Sequence, residues 1–181
     1  MKAANSFVVA GLIVASGAAA SAEPQSAYSS IDMEQCAITE TDEQSGSVLM
    51  RCEDFRGQSV ELLEGDLRFY LIIDDPKRMK MLSGQTLPGF NAPGKTLEWR
   101  LDEDGKAFTV IMRYHTDEDR GDGTFYKGQV LVVSKIGDEA CHVATVDARR
   151  HKDANALARL AADEHARRFR CGVDEVITIG E

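Results

Sequence analysis

The stretch from Thr124 to Cys171 constrains the fold more than any other part of the chain. It reads as a strand (Phe125 to Ile136), a tight turn (Gly137-Asp138-Glu139), a second strand (Ala140 to Asp147) and an amphipathic helix (Asp153 to Arg170) ending at a cysteine. Eight residues from Ala140 to Asp147 extend roughly 26 Å at strand rise. About seventeen helical residues return a similar distance at about 1.5 Å each. A helix folded back over its own strand therefore brings Cys171 beside Cys141. Within the helix, Asp153 suits the N-cap, and Ala154, Leu157, Leu160, Ala161 and Phe169 recur at helical spacing. Arg167, Arg168 and Arg170 complement the dipole in the last turn, and Gly172 stands just beyond the end. His165 shares the apolar flank and reads as a packed residue rather than a ligand.

The chain has 4 cysteines. Its first twenty-two residues carry one charge, Lys2, an apolar run from Phe7 to Val14, and the small-x-small close Ala20-Ser21-Ala22. That is the pattern of an export signal cleaved after Ala22, and the run is too short to span a membrane. Residues 23–181 then form one periplasmic domain. An even cysteine set in an exported chain points to disulfides. If Cys141 pairs with Cys171, Cys36 is left to Cys52, closing a loop around the acidic, turn-rich stretch Thr39 to Ser47. A thiol redox site is disfavoured, because no Cys-x-x-Cys occurs and Cys141 and His142 point to opposite faces of a strand.

The rest of the chain reads mainly as hairpins. After a polar lead, Glu23 to Ser30, expected to be mobile, Ile31 to Ile38 is ambiguous between a helical turn and an edge strand. Strands follow over Ser47 to Cys52, Ser59 to Leu63 and Leu67 to Ile73. Further strands cover Thr96 to Leu101, with Leu97, Trp99 and Leu101 on one face, and Ala107 to Tyr114, with Phe108, Val110, Met112 and Tyr114 on one face. Val176 to Ile179 could add a short edge strand. The fold class is α+β: a mainly antiparallel sheet of about six to seven strands, stapled by disulfides, with one C-terminal helix on one face.

Between Asp74 and Lys95 the alternation stops, and Pro76, Pro88 and Pro93 cluster with Gly84, Gly89 and Gly94. So long an irregular segment in a small domain is commonly functional. It reads as a surface loop packed by Leu87 and Phe90, and as the best partner-binding loop in the chain, through Ser83, Gly84, Gln85 and Phe90. Arg68, Arg100 and Arg113, with Glu98, fall opposite the apolar faces of their strands. They form either an anion-binding patch on the uncovered face of the sheet or ordinary cross-strand charge pairs.

With 21 basic against 30 acidic residues the net charge is −9, which repels nucleic acid and would steer a basic protein partner. No catalytic constellation, cofactor motif or metal motif stands out. His115, His142, His151 and His165 lack ligand spacing. Asp117, Asp119 and Asp122 resemble a calcium loop only loosely, with Gly128 where the bidentate acid belongs.

Met50-Arg51-Cys52, Glu64-Gly65-Asp66-Leu67-Arg68-Phe69, Gln85-Thr86-Leu87-Pro88, Thr96-Leu97-Glu98-Trp99-Arg100, Lys127 to Val133 and Cys141-His142-Val143-Ala144 resemble a family of small periplasmic proteins of alphaproteobacteria. The order of cysteine strand, hairpin, Ser83-Gly84 loop and Leu97-x-Trp99 strand is also similar to bacterial periplasmic lysozyme inhibitors. That resemblance implies a Ser-Gly loop entering the cleft of a lysozyme-type peptidoglycan hydrolase. The expected function is thus a non-enzymatic inhibitor of such a hydrolase, or alternatively a small-ligand or glycan-binding envelope module using the arginine face.

Overall fold

The computed structural model describes residues 24–180; the leader expected over residues 1–22 lies outside them. Ten strands and one α-helix follow in order: β1 (Gln25–Ser30), β2 (Ala37–Asp42), β3 (Ser47–Arg51), β4 (Val60–Gly65), β5 (Arg68–Ile73), β6 (Phe90–Leu101), β7 (Ala107–Asp119), β8 (Phe125–Lys135), β9 (Cys141–Asp147), α1 (Ala154–His165) and β10 (Ile177–Ile179). They build two sheets rather than one. The larger has the order β1-β6-β7-β8-β9-β10 and the smaller β2-β3-β4-β5. Every pairing is antiparallel except that of β10 with β9. The fold is α+β, as the alternation implied, with more strands than expected.

Two-residue periodicity explains the layering. Val60 and Leu62 of β4, Leu71 and Ile73 of β5, Leu97, Trp99 and Leu101 of β6, Val110 and Met112 of β7 and Val132 of β8 join one buried core between the sheets. Phe55 stacks on Trp99 with ring centroids 4.4 Å apart. The other face of the large sheet, with Ile111, Leu131 and Val133, packs against Ala154, Ala158, Ala161, Ala162 and Ala166 of the helical segment. The molecule is therefore three layers deep: small sheet, large sheet, helix.

Both disulfides form as expected, Cys36–Cys52 with Cα atoms 4.3 Å apart and Cys141–Cys171 with Cα atoms 5.7 Å apart. The first closes the open end of the β2–β3 hairpin, where Ala37 pairs with Arg51. The second returns the turn segment after α1 to the start of β9, so the pairing expected from reach holds although the regular helix is shorter than the one assumed.

Several details differ from expectation. From Gln25 to Ser30 the polar lead, expected to be mobile, is strand β1, paired along β6 from Gln25↔Leu101 to Ser30↔Thr96. Its serines serve buried polar groups: the Trp99 indole N–H donates to Ser29 Oγ at 2.8 Å, so an apolar pattern was never required there. The ambiguous stretch before Cys36 is a turn leading into β2. The regular helix stops at His165 and Asp153 makes no side-chain cap bond. Leu160 faces solvent and Ala158 and Ala162 take the core positions, while His165 is exposed rather than packed. The irregular segment is shorter than it looked, because β6 begins at Phe90, and its bulge between Pro93 and Leu97 accommodates the proline.

Candidate functional site: an open cleft between the sheets

The residues expected to bind a partner are placed very differently from one another. Ser83 is buried in a 3₁₀ turn, Met81–Gly84, and its hydroxyl donates to the Asp75 carboxylate. Burial alone would push the Asp75 carboxyl up, but the Ser83 bond and the amides of Lys80 and Met79 outweigh it and hold the carboxyl below its ordinary value. Gln85 Oε1 accepts the backbone N–H of His142 at 2.8 Å. Ser83 and Gln85 are thus joints inside the fold, and the loop lies flat instead of projecting. Phe90 alone of the four combines an exposed side chain with a place at a cavity mouth.

The three arginines do not share a patch. Arg68 lies in the small sheet and pairs with Asp66 at 2.7 Å. Arg100 is buried under the helix, with Nη2 2.6 Å from Asp163, and Glu98 beside it is held by Arg159 at 2.6 Å. The face assigned to solvent is the one the helix covers. The helix brings the complementary charges with it, and the sandwich claims the apolar face instead. Arg113 is the exception: its guanidinium donates to the neutral amides of Gln129 and Asn155, each at 3.1 Å. Of the loosely calcium-like acids, Asp117 lies in β7 and is neutralised by Lys127 of β8 at 2.5 Å, and Asp122 in the turn between them accepts the N–H and hydroxyl of Thr124, bonds that lower its carboxyl. No cluster of three metal-ligating side chains occurs among the described residues.

The main concavity was not foreseen. At one end of the sandwich the sheets part and leave a cleft of about 740 Å³. Val48 and Met50 of β3, Glu64 of β4 and Phe69 of β5 line one side, and Met33 joins them. Thr116 and Gly128 lie opposite, directly paired across β7 and β8. These positions continue the inward-facing rows of Met112 and Tyr114 on β7 and of Val130 and Val132 on β8. The row that fills the core with large apolar groups thus ends in a hydroxyl and a hydrogen, and the space above them stays open. A Cβ on Gly128 would come within 2.3 Å of Thr116 Oγ1, so no side chain fits without displacing the threonine. The Thr116 hydroxyl is itself buried with no hydrogen-bond partner among the described residues, although such groups are normally satisfied.

The mouth is held open by polar joints and rimmed by apolar groups. Asn91 ties the two sheets: its N–H donates to Leu67 O at 3.0 Å, and its Oδ1 accepts the N–H of Phe69 at 3.1 Å. Leu67 sits in the two-residue β4–β5 turn at φ 58°, where glycine or asparagine would cost less. Its side chain is 62% exposed all the same. Phe90 stands beside the opening, its ring 6.4 Å from that of exposed Phe125. His115, Lys127, Gln129 and Arg149 supply the polar side of the lining.

A signal for this cleft exists in the sequence but is negative. Gly128 interrupts an otherwise alternating strand, and glycine there often marks close approach or an opening. No family model, curated protein or solved structure matches the chain. Among the described residues no helix is long and apolar enough to cross a membrane, and two formed disulfides suit a chain that matures in an oxidising compartment.

Proposed function

We propose that the chain is an exported, non-enzymatic binding protein of the periplasm that holds a small amphipathic molecule between its sheets. One observation carries this reading: the sandwich interior is left unfilled at one end, around a hydroxyl with no partner and beneath an apolar rim. The apolar part of a ligand would lie on Met33, Met50 and Phe69, and its polar part would reach the Arg149 side of the mouth. Periplasmic location rests on the leader over residues 1–22, with cleavage after Ala22.

The test is titration of the mature protein with N-phenyl-1-naphthylamine, a dye that brightens in apolar surroundings, followed by displacement with a medium-chain alkyl carboxylate. Saturable brightening that is displaced by the carboxylate and lost in Val48→Trp, which places an indole in the cleft, supports the proposal. No saturable signal, or the same signal in Val48→Trp, rejects it.

A second reading, inhibition of a lysozyme-type hydrolase, is favoured by the net charge of −9 and by the exposed rim of Leu67, Phe90 and Phe125. The contact would be that rim and not the Ser83 turn. Undiminished lysis of a cell-wall suspension at excess protein counts against this second reading.

A further inference from the structure

A second hollow, of about 310 Å³, lies where the first turns of α1 meet β1, β6 and β7. Its floor includes Ile111 and Leu131, and its walls carry Lys95, Arg113, Arg159, Tyr28 and Glu98. Glu98 is the one carboxylate among these lining residues, and it is already committed: its oxygens accept from Ser26 Oγ at 2.5 Å and from Arg159 at 2.6 and 3.2 Å. Arg159 is thereby neutralised. Lys95 and Arg113 have no ion pair with any described residue. The hollow therefore carries two uncompensated positive charges in a chain whose net charge is −9.

These charges are also positioned. Neutral amide oxygens of Gln129 and Asn155 grip the Arg113 guanidinium from β8 and α1, fixing its orientation without cancelling its charge. The β6 bulge between Pro93 and Leu97 contains Lys95, and bulges re-aim side chains. Gly94 in that bulge lies so close to β7 that a Cβ would stand 3.2 Å from Arg113 O, so the lysine-bearing segment is pressed against the arginine-bearing strand. The Tyr28 hydroxyl, which accepts from Arg159 at 3.1 Å, completes the edge.

We infer that this hollow is a binding site for a tetrahedral oxyanion, the phosphate or sulfate group of a small ester. Two unpaired cations match the charge of a phosphate monoester, about −1.5 to −2 near pH 7, and a held guanidinium presents paired donors to such a group. The site is separate in composition from the inter-sheet cleft, apart from His115, which lines both, and it stands whether or not the cleft binds an amphipathic molecule.

Calorimetric titration of the mature protein with inorganic phosphate, inorganic sulfate and acetate at low salt tests the inference. Saturable binding of phosphate and sulfate is expected, weakened about tenfold by Lys95→Gln and by Arg113→Gln, with Val48→Trp leaving it unchanged. Lys95 is exposed, so its variant folds as the parent does, which thermal unfolding of each variant verifies. Three results would overturn the inference: no saturable heat with millimolar phosphate, equal binding in the Lys95→Gln/Arg113→Gln double variant, or acetate binding as tightly as phosphate.

Discussion

The two faces of the large sheet are packed by opposite means. Toward the small sheet, large apolar groups interlock around Trp99, Leu97 and Met112, all essentially inaccessible to solvent. Toward the helix, alanines at 154, 158, 161, 162 and 166 bring α1 close, while the ion pairs Arg100–Asp163 and Glu98–Arg159 fix where it sits. Apolar interdigitation supplies more of the stability, since burial is non-directional and scales with area. The smooth alanine surface gives little register of its own, so charged pairs set the position of the helix. The same helix then carries Asn155 to Arg113 and Arg159 to Glu98, and so shapes the cationic hollow.

The contrast can be broken most severely from the sandwich side. Trp99→Ala removes the ring that stacks on Phe55 and the donor to Ser29, and is expected to cost about 4 kcal/mol in urea unfolding. A loss below about 1 kcal/mol would mean that this layer is not the main source of stability.

Acidification probes the junction where β9 meets the turn after Met81–Gly84. Burial lowers the His142 imidazole to about 4 from its ordinary 6.5, so the folded state keeps it neutral. The unfolded chain takes up a proton below pH 6.5 that the folded chain refuses until about pH 4. The contribution is therefore complete above pH 6.5 and is lost as pH falls through that window, by about 3 kcal/mol. Comparing His142→Asn with the parent across this range isolates the effect; parallel stability curves would contradict it.

On the helix face, Asp163→Ala removes the carboxylate paired with buried Arg100, leaving it Ser26 Oγ and Pro24 O as acceptors, and is expected to cost about 3 kcal/mol. Replacing both partners in Arg100→Leu/Asp163→Leu should recover most of that in thermal unfolding, because the charge needing a partner is gone. If the single variant is as stable as the parent, alanine packing alone holds the helix and the two faces are packed by more similar means.

Much of this was readable in advance because it is local. Strict alternation over Leu97, Trp99 and Leu101 and over Val110 and Met112 marks strands with one buried face. A helical segment folded back over its own strand brings Cys141 to Cys171, even though the regular helix stops at His165. Strand β1 was not legible, since Ser26 and Ser29 are there to satisfy Arg100 and Trp99 rather than to bury apolar area. Nor was the cleft, which is defined by what Gly128 and Thr116 fail to fill. Ser83 drew attention through its neighbours in sequence, yet its hydroxyl is spent on Asp75 inside the fold.

Periodicity and cysteine number were enough to specify most of the strands, the helix and the covalent staples, though not β1 or β2, because each depends on residues near one another in the chain or on reach alone. Which face of the large sheet met the helix, and where the sheets failed to close, were settled only by packing. The core between the sheets gathers the larger side chains, Trp99, Leu97 and Met112 among them, whereas the helix offers mainly alanines. The helix covers the face that mixes Ile111, Leu131 and Val133 with Glu98 and Arg100, and the hollow it forms with Lys95 and Arg113 exists only in the assembled layers.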